Sequence, residues 1–305
     1  MPETQLTRRL RCGAATLALI GLAGCAAPGP RRIEPPWLQR AFRVGVYLGG
    51  QAPTERVFAE LGAAGVDFVW LNQANYRRMA EHEDLHARAA RHRIGIYVQL
   101  FAQLEADEPD ELARTRIRDL VRFVERQRHS HVVVGYGVAD EPELNYPMDQ
   151  HPQVAARAQR FADLVKSIDP RRCTLTTHYG PRWHDFDTDE VWPNVFGATP
   201  ERAASLTAAW RLARQHGFHS FVALAWGRPP EEAVAAPASS DPRQHYIYAY
   251  AMAAYLAGAD GVVFYIFDGP PNDRDWSLVD ANLQDIDGKW AALRAAIADV
   301  QQSGH

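Results

Sequence analysis

The feature that most constrains this chain is an alternation of two textures along its length. Short apolar runs rich in Val, Ile, Phe and Tyr are separated by longer segments with helical spacing. The runs read as strands at Phe42–Leu48, Val66–Asn72, Ile94–Leu100, Val132–Ala139, Thr174–His178, Val191–Phe196, Phe221–Trp226 and Val262–Phe267. Between them, Ile117, Leu120, Val121 and Val124 fall on one helical face, and Val154, Ala158, Phe161, Val165 and Ile168 repeat the pattern. Thr54 is placed to cap one helix and Gly65 to end it. Pro109 suits the first turn of another, and Asp241 is placed to cap a Tyr/Ala-rich helix ending near Gly258. A final helix is expected over Leu283–Val300. Pro193 makes the sixth strand the least regular of the eight.

Strands that alternate with helices pair in parallel through right-handed crossovers. Eight such units in residues 41–305 are close to the ~250 residues of a single (β/α)8 TIM barrel. The competing open, doubly wound sheet carries a Gly-rich phosphate turn after its first strand. Here "YLGGQAPTE" supplies Gly49 and Gly50 without that spacing. No repeat or internal domain break interrupts the pattern.

The amino terminus has a different character. Arg8, Arg9 and Arg11 precede an apolar core, Ala14–Ala23, which stops at Cys25. That order is the order of an export signal, and the core is shorter than the ~20 residues needed to span a bilayer. Leu22-Ala23-Gly24-Cys25 resembles a bacterial lipobox. The resemblance implies a signal peptide over residues 1–24, lipidation at Cys25, and anchoring in the cell envelope. Ala26 after the cysteine favours the outer membrane, facing the periplasm. Residues 25–40 include a Pro-rich tether. With Cys12 in the signal and Cys25 lipidated, only Cys173 remains, so the mature domain has no intrachain disulfide. The formal net charge of -4 and the absence of a basic stripe argue against nucleic acid as a partner.

In a parallel barrel, chemistry sits at the carboxyl ends of the strands. Those ends offer Tyr47, then Trp70 and Asn72, then Gln99, then Asp140 and Glu141. His178 and Tyr179 follow on the fifth strand, Trp192 and Asn194 on the sixth, Trp226 on the seventh, and Tyr265 and Asp268 on the eighth. Aromatic faces, amides and carboxylates together suit a carbohydrate ligand. His82 and His86 have a metal-capable spacing, but "EHEDLHARAARH" reads as a solvated face. No metal or cofactor is expected, and no G-x-S-x-G elbow is present.

"GYGVADEPEL", ending the fourth strand, resembles the Asp-Glu-Pro or Asn-Glu-Pro motif of glycoside-hydrolase-like TIM barrels. "SIDPRR" and "AYLAGADGVVFYIFDG" resemble the segments that follow in those barrels, so the likeness covers about residues 42–300. The resemblance implies that Glu141 is the general acid/base and that Asp140 touches a sugar hydroxyl. A partly buried carboxylic acid can hold a proton near neutrality and donate it to a glycosidic oxygen. The chain departs from the pattern on strand seven. "FVALAWGRPPEE" places Trp226 and Gly227 where a retaining barrel carries its nucleophilic glutamate. Asp268 is the preferred second carboxylate, and a turn-forming role in "FDGPP" is its alternative. Two functions follow: an envelope-anchored glycoside hydrolase, or a non-catalytic sugar-binding or envelope-assembly lipoprotein on the same scaffold.

Overall fold

A computed structural model describes residues 31–49, 54–82, 84–100, 110–141, 151–178, 187–193, 205, 220–226, 240–269 and 277–303. Contacts divide the chain into Met1–Arg32 and Ile33–His305, and the elements below all belong to the second unit. The strands are β1 (Arg43–Leu48), β2 (Phe68–Asn72), β3 (Gly95–Gln99), β4 (Val133–Ala139), β5 (Cys173–His178), β6 (Glu190–Pro193), β7 (Ser220–Trp226) and β8 (Gly261–Asp268). All pair in parallel in chain order, and β8 returns to β1, so the curled sheet closes on itself. The α/β class and the parallel sheet are those expected from the alternation.

Seven α-helices lie among the described residues. They are α1 (Glu55–Ala64), α2 (Gln73–His82), α3 (Leu85–His92), α4 (Asp110–Arg126), α5 (His151–Ile168), α6 (Tyr246–Leu256) and α7 (Lys289–Ser303). Thr54 Oγ1 accepts the Val57 N–H, and Gly65 ends α1 at φ 83°. A left-handed residue there is tolerated because glycine has no Cβ.

Three expectations about boundaries are corrected. β6 begins at Glu190 and its last strand residue is Pro193, with Asn194 onward outside the described residues. Asp241 caps a short 3-10 turn, Pro242–Gln244, while His245 Nδ1 accepts the Ile247 N–H and caps α6. The last helix starts at Lys289, not Leu283, because Asp285 accepts the N–H groups of Trp290 and Ala291 and so marks the start.

The pleat sorts side chains into two layers, since successive residues point to opposite faces. Val69 and Leu71 of β2 join the large cluster between strands and helices, with Phe58, Leu61, Ile117 and Leu293. Phe68 and Trp70 join a second cluster with Tyr47, Tyr97, Leu175, Trp192, Val263 and Ile266, which fills the ring. Gly45 makes room for this filling, because a Cβ there would lie 2.1 Å from the Phe68 ring.

The amino-terminal end of the ring is closed. Leu38 belongs to the interior cluster and abuts Gly95, and the Ile33 N–H donates to Arg171 C=O at 2.7 Å. Just above, a buried ion pair crosses the ring. Both terminal nitrogens of Arg43 donate to Glu190 Oε1 at 3.1 Å, the Tyr97 hydroxyl donates to the same oxygen at 3.1 Å, and Trp192 Nε1 donates to Oε2 at 3.0 Å. Burial opposes the charge on Arg43, but the adjacent Glu190 carboxylate outweighs it and holds the guanidinium firmly protonated.

Candidate active site at the carboxyl ends of the strands

With one end closed by Leu38 and the ion pair, the polar residues gather at the other. Asn72 and Gln99, the last residues of β2 and β3, pair across the sheet, and Gln99 pairs with Gly137 of β4. Both are part-exposed. Asn72 is oriented from two sides. Its Oδ1 accepts the Asn75 N–H at 2.8 Å at the start of α2, and its side chain bonds to Tyr47.

Tyr47 packs edge-on to Trp70 at 5.1 Å and tilted against Tyr265 at 5.0 Å. Its hydroxyl pKa is raised, first by burial and also by the negative charge of Asp140, while the Asn72 bond lowers it. Trp70 continues the aromatic column downward to Trp192, edge-on at 5.4 Å. Trp70 is 3% exposed, and its indole N–H has no hydrogen-bond partner among the described residues.

Asp140 and Glu141 come directly after β4. The Asp140 carboxyl is pushed above its ordinary value by burial, against the opposing pull of a hydrogen bond from Thr177. That bond, from Thr177 Oγ1 to Asp140 Oδ1, is 2.6 Å long. The Glu141 N–H donates to both Thr177 Oγ1 and Thr177 C=O at 3.1 Å. Glu141 is part-exposed and has a left-handed backbone with φ 38°.

The structure therefore brings Tyr47, Asn72, Asp140 and Glu141 into one connected group, with Trp70, Gln99 and Tyr265 around it. Asp268 ends β8, opposite Leu48 of β1 and four strands round the ring from β4, and is 2% exposed. Trp226 ends β7 opposite Tyr265. Tyr179, with Asn194, lies outside the described residues.

One assignment made from the sequence is corrected. His178 does not serve the mouth. It is fully buried and shares a 2.9 Å hydrogen bond with Thr176, on the face of β5 opposite Leu175 and Thr177. Trp192 packs as a core tryptophan, fully buried inside the ring and bonded to Glu190. His82 and His86 also part company. A break at Asp84, φ 52°, separates α2 from α3, and His86 turns inward to share a 2.8 Å hydrogen bond with Tyr76. Among the described residues no group of three or more His, Cys, Asp or Glu side chains is placed to hold a metal ion.

The residue missed in the sequence is Thr177. Polar side chains occupy both faces of "CTLTTH", so alternation alone does not say which threonine faces inward.

No protein-family model matches the chain, and no curated protein matches it by sequence. Solved structures do. A glycoside hydrolase family 2 β-galacturonidase from Eisenbergiella tayi, bound to galacturonate, aligns over 84% of this chain and 50% of its own, with TM-score 0.61 and 11% identity. Bacteroides uniformis β-glucuronidase 2, covalently bound to cyclophellitol-6-carboxylate aziridine, aligns over 83% and 35%, with TM-score 0.57 and 14% identity. A β-galactosidase from the haloarchaeon Halorubrum lacusprofundi aligns over 85% and 58%, with TM-score 0.57 and 13% identity. The chain thus spans about a third to three-fifths of these enzymes. At such identities the likeness establishes the fold they share.

Proposed function

We propose that this chain is a (β/α)8-barrel glycoside hydrolase acting on a poly- or oligosaccharide, with Glu141 as general acid/base. The observation that carries the reading is the position of Asp140 and Glu141. They leave the fourth strand of a closed parallel ring at its carboxyl end and are tied to the fifth. That is where barrel enzymes place their chemistry, and the solved structures of similar fold are glycosidases.

In this reading the sugar lies on the aromatic floor of Tyr47, Trp70 and Tyr265. Asn72, Gln99 and Asp140 take its hydroxyls. Glu141 gives a proton to the departing glycosidic oxygen as water replaces it at the sugar carbon. Asp268 is the proposed second carboxylate, across the ring. The chain acts at the envelope surface, held through lipid on Cys25 and facing the periplasm from the outer membrane.

A second reading, sugar binding without turnover, is favoured by one observation. β7 ends in Trp226, and the sequence continues Gly227-Arg228-Pro229-Pro230 with no acid. A panel of glycosides and glycans tested with wild type and Glu141→Gln separates the two. Hydrolysis predicts that the variant loses ~10²-fold or more in kcat while keeping its ligand. Equal rates in both proteins remove Glu141 from the mechanism, and binding without turnover in either establishes the second reading.

A further inference from the structure

We propose that Thr177 is a positioning residue whose single hydroxyl sets both the Asp140 carboxylate and the Glu141 backbone. This inference rests on the glycoside hydrolase reading of the site.

The hydroxyl has one hydrogen, and it is committed. It points to Asp140 Oδ1 across 2.6 Å, in the range of hydrogen bonds to a charged oxygen. Thr177 Oγ1 itself accepts the Glu141 N–H at 3.1 Å, and that N–H also reaches the Thr177 carbonyl at 3.1 Å. One buried residue thus holds a carboxylate by its side chain and the next peptide by two acceptors. The second grip matters because Glu141 has φ 38°. A residue with a Cβ is crowded in that region and stays there only when its surroundings over-determine it.

Register explains why Thr177 is the residue in place. β4 and β5 pair Gly137 with Leu175 but Ala139 with Thr176, so β4 carries one extra residue at its end. The irregularity brings Asp140 level with Thr177 on the interior face. Without it Asp140 would come level with His178, which faces the other way. An extra strand residue that re-aims a side chain is a recurring device beside active sites. Among the described residues, Tyr47 of β1 feels the Asp140 charge, and Glu141 is its neighbour in the chain.

The test compares wild type with Thr177→Val, which keeps the shape and removes the hydroxyl, and Thr177→Ser, which keeps the hydroxyl. Thr177→Ala gives the same reading should the valine protein not fold. The first measurement needs no substrate. The Asp140 carboxyl carbon, assigned by its loss in Asp140→Asn, is titrated by NMR. Removing the donor raises its midpoint, because the hydroxyl favours the ionised form, and serine restores it.

The second measurement uses a glycoside that wild type hydrolyses. Thr177→Val lowers kcat by ~10-fold or more with KM little changed, as misplacement of a reacting group does. Thr177→Ser stays near wild type. The proposal is overturned if the Asp140 midpoint and kcat are unchanged in the valine protein, or if serine fails as valine does. If no glycoside is hydrolysed by wild type, the hydrolase reading fails by itself, and the titration still decides whether Thr177 sets Asp140.

Discussion

Replacing Glu190 by Gln tests the physical account of the ring interior. Arg43 is 7% exposed and Glu190 4%, and their charges meet at 3.1 Å. The substitution preserves shape but leaves a guanidinium without its counter-ion in a site with no bulk water. Breaking a buried pair in this way costs about 3–5 kcal/mol. It also sets a Gln NH2 against one of two committed donors, the Tyr97 O–H or the Trp192 N–H. At ~2–4 °C per kcal/mol for a domain near this size, Tm should fall by roughly 6–20 °C. Arg43→Met alone strands the carboxylate and should cost about as much. The double variant strands no charge. Its loss should be no greater than that of either single change, giving a coupling of about 3 kcal/mol or more. Urea unfolding followed by tryptophan fluorescence, with Trp192 in contact with the pair, supplies all four values. Single losses under about 1 kcal/mol, or losses that simply add, would refute the claim that these charges hold each other in the ring.

Two further predictions concern pH and location. His86 is held near pKa 4 by burial and by Arg172, against an ordinary 6.5, so the unfolded chain takes up the proton first on acidification. Its contribution, about 3 kcal/mol, is present above pH 6.5 and lost as pH falls toward 4. Asp67 works in the opposite sense. Burial lifts its pKa from 3.8 to about 6, so its contribution is present below 3.8 and lost as pH rises to about 6. Relative to wild type, His86→Gln should therefore flatten the acid loss of stability, and Asp67→Asn should remove a loss on the neutral side. Urea midpoints across pH 4–7 read both, and profiles parallel to wild type would count against the burial argument. For location, Cys25→Ser should abolish incorporation of a labelled fatty acid and move the protein from the membrane to the soluble fraction. Unchanged labelling would exclude Cys25 as the lipid site.

Much of this molecule could be read from the order of its residues. The alternation of apolar runs and amphipathic segments dictated parallel strands with helical crossovers, because only that arrangement buries both textures at once. The Asp140-Glu141-Pro142 stop marked a strand end bearing acids, because carboxylates are not left in the middle of a buried strand. Thr54 and Gly65 marked the ends of α1 through local chemistry, which needs no knowledge of distant residues. What the order of residues could not decide was which face each polar strand residue would show. His178 and Thr177 are neighbours of similar polarity, yet one is buried against Thr176 and the other holds Asp140. Glu190 and Arg43 are 147 residues apart, and nothing local pairs them. Their meeting depends on the strands closing into a ring, and the alignment of Asp140 with Thr177 on a one-residue shift of register. Those are properties of contacts between distant segments, and they exist only once the strands have closed.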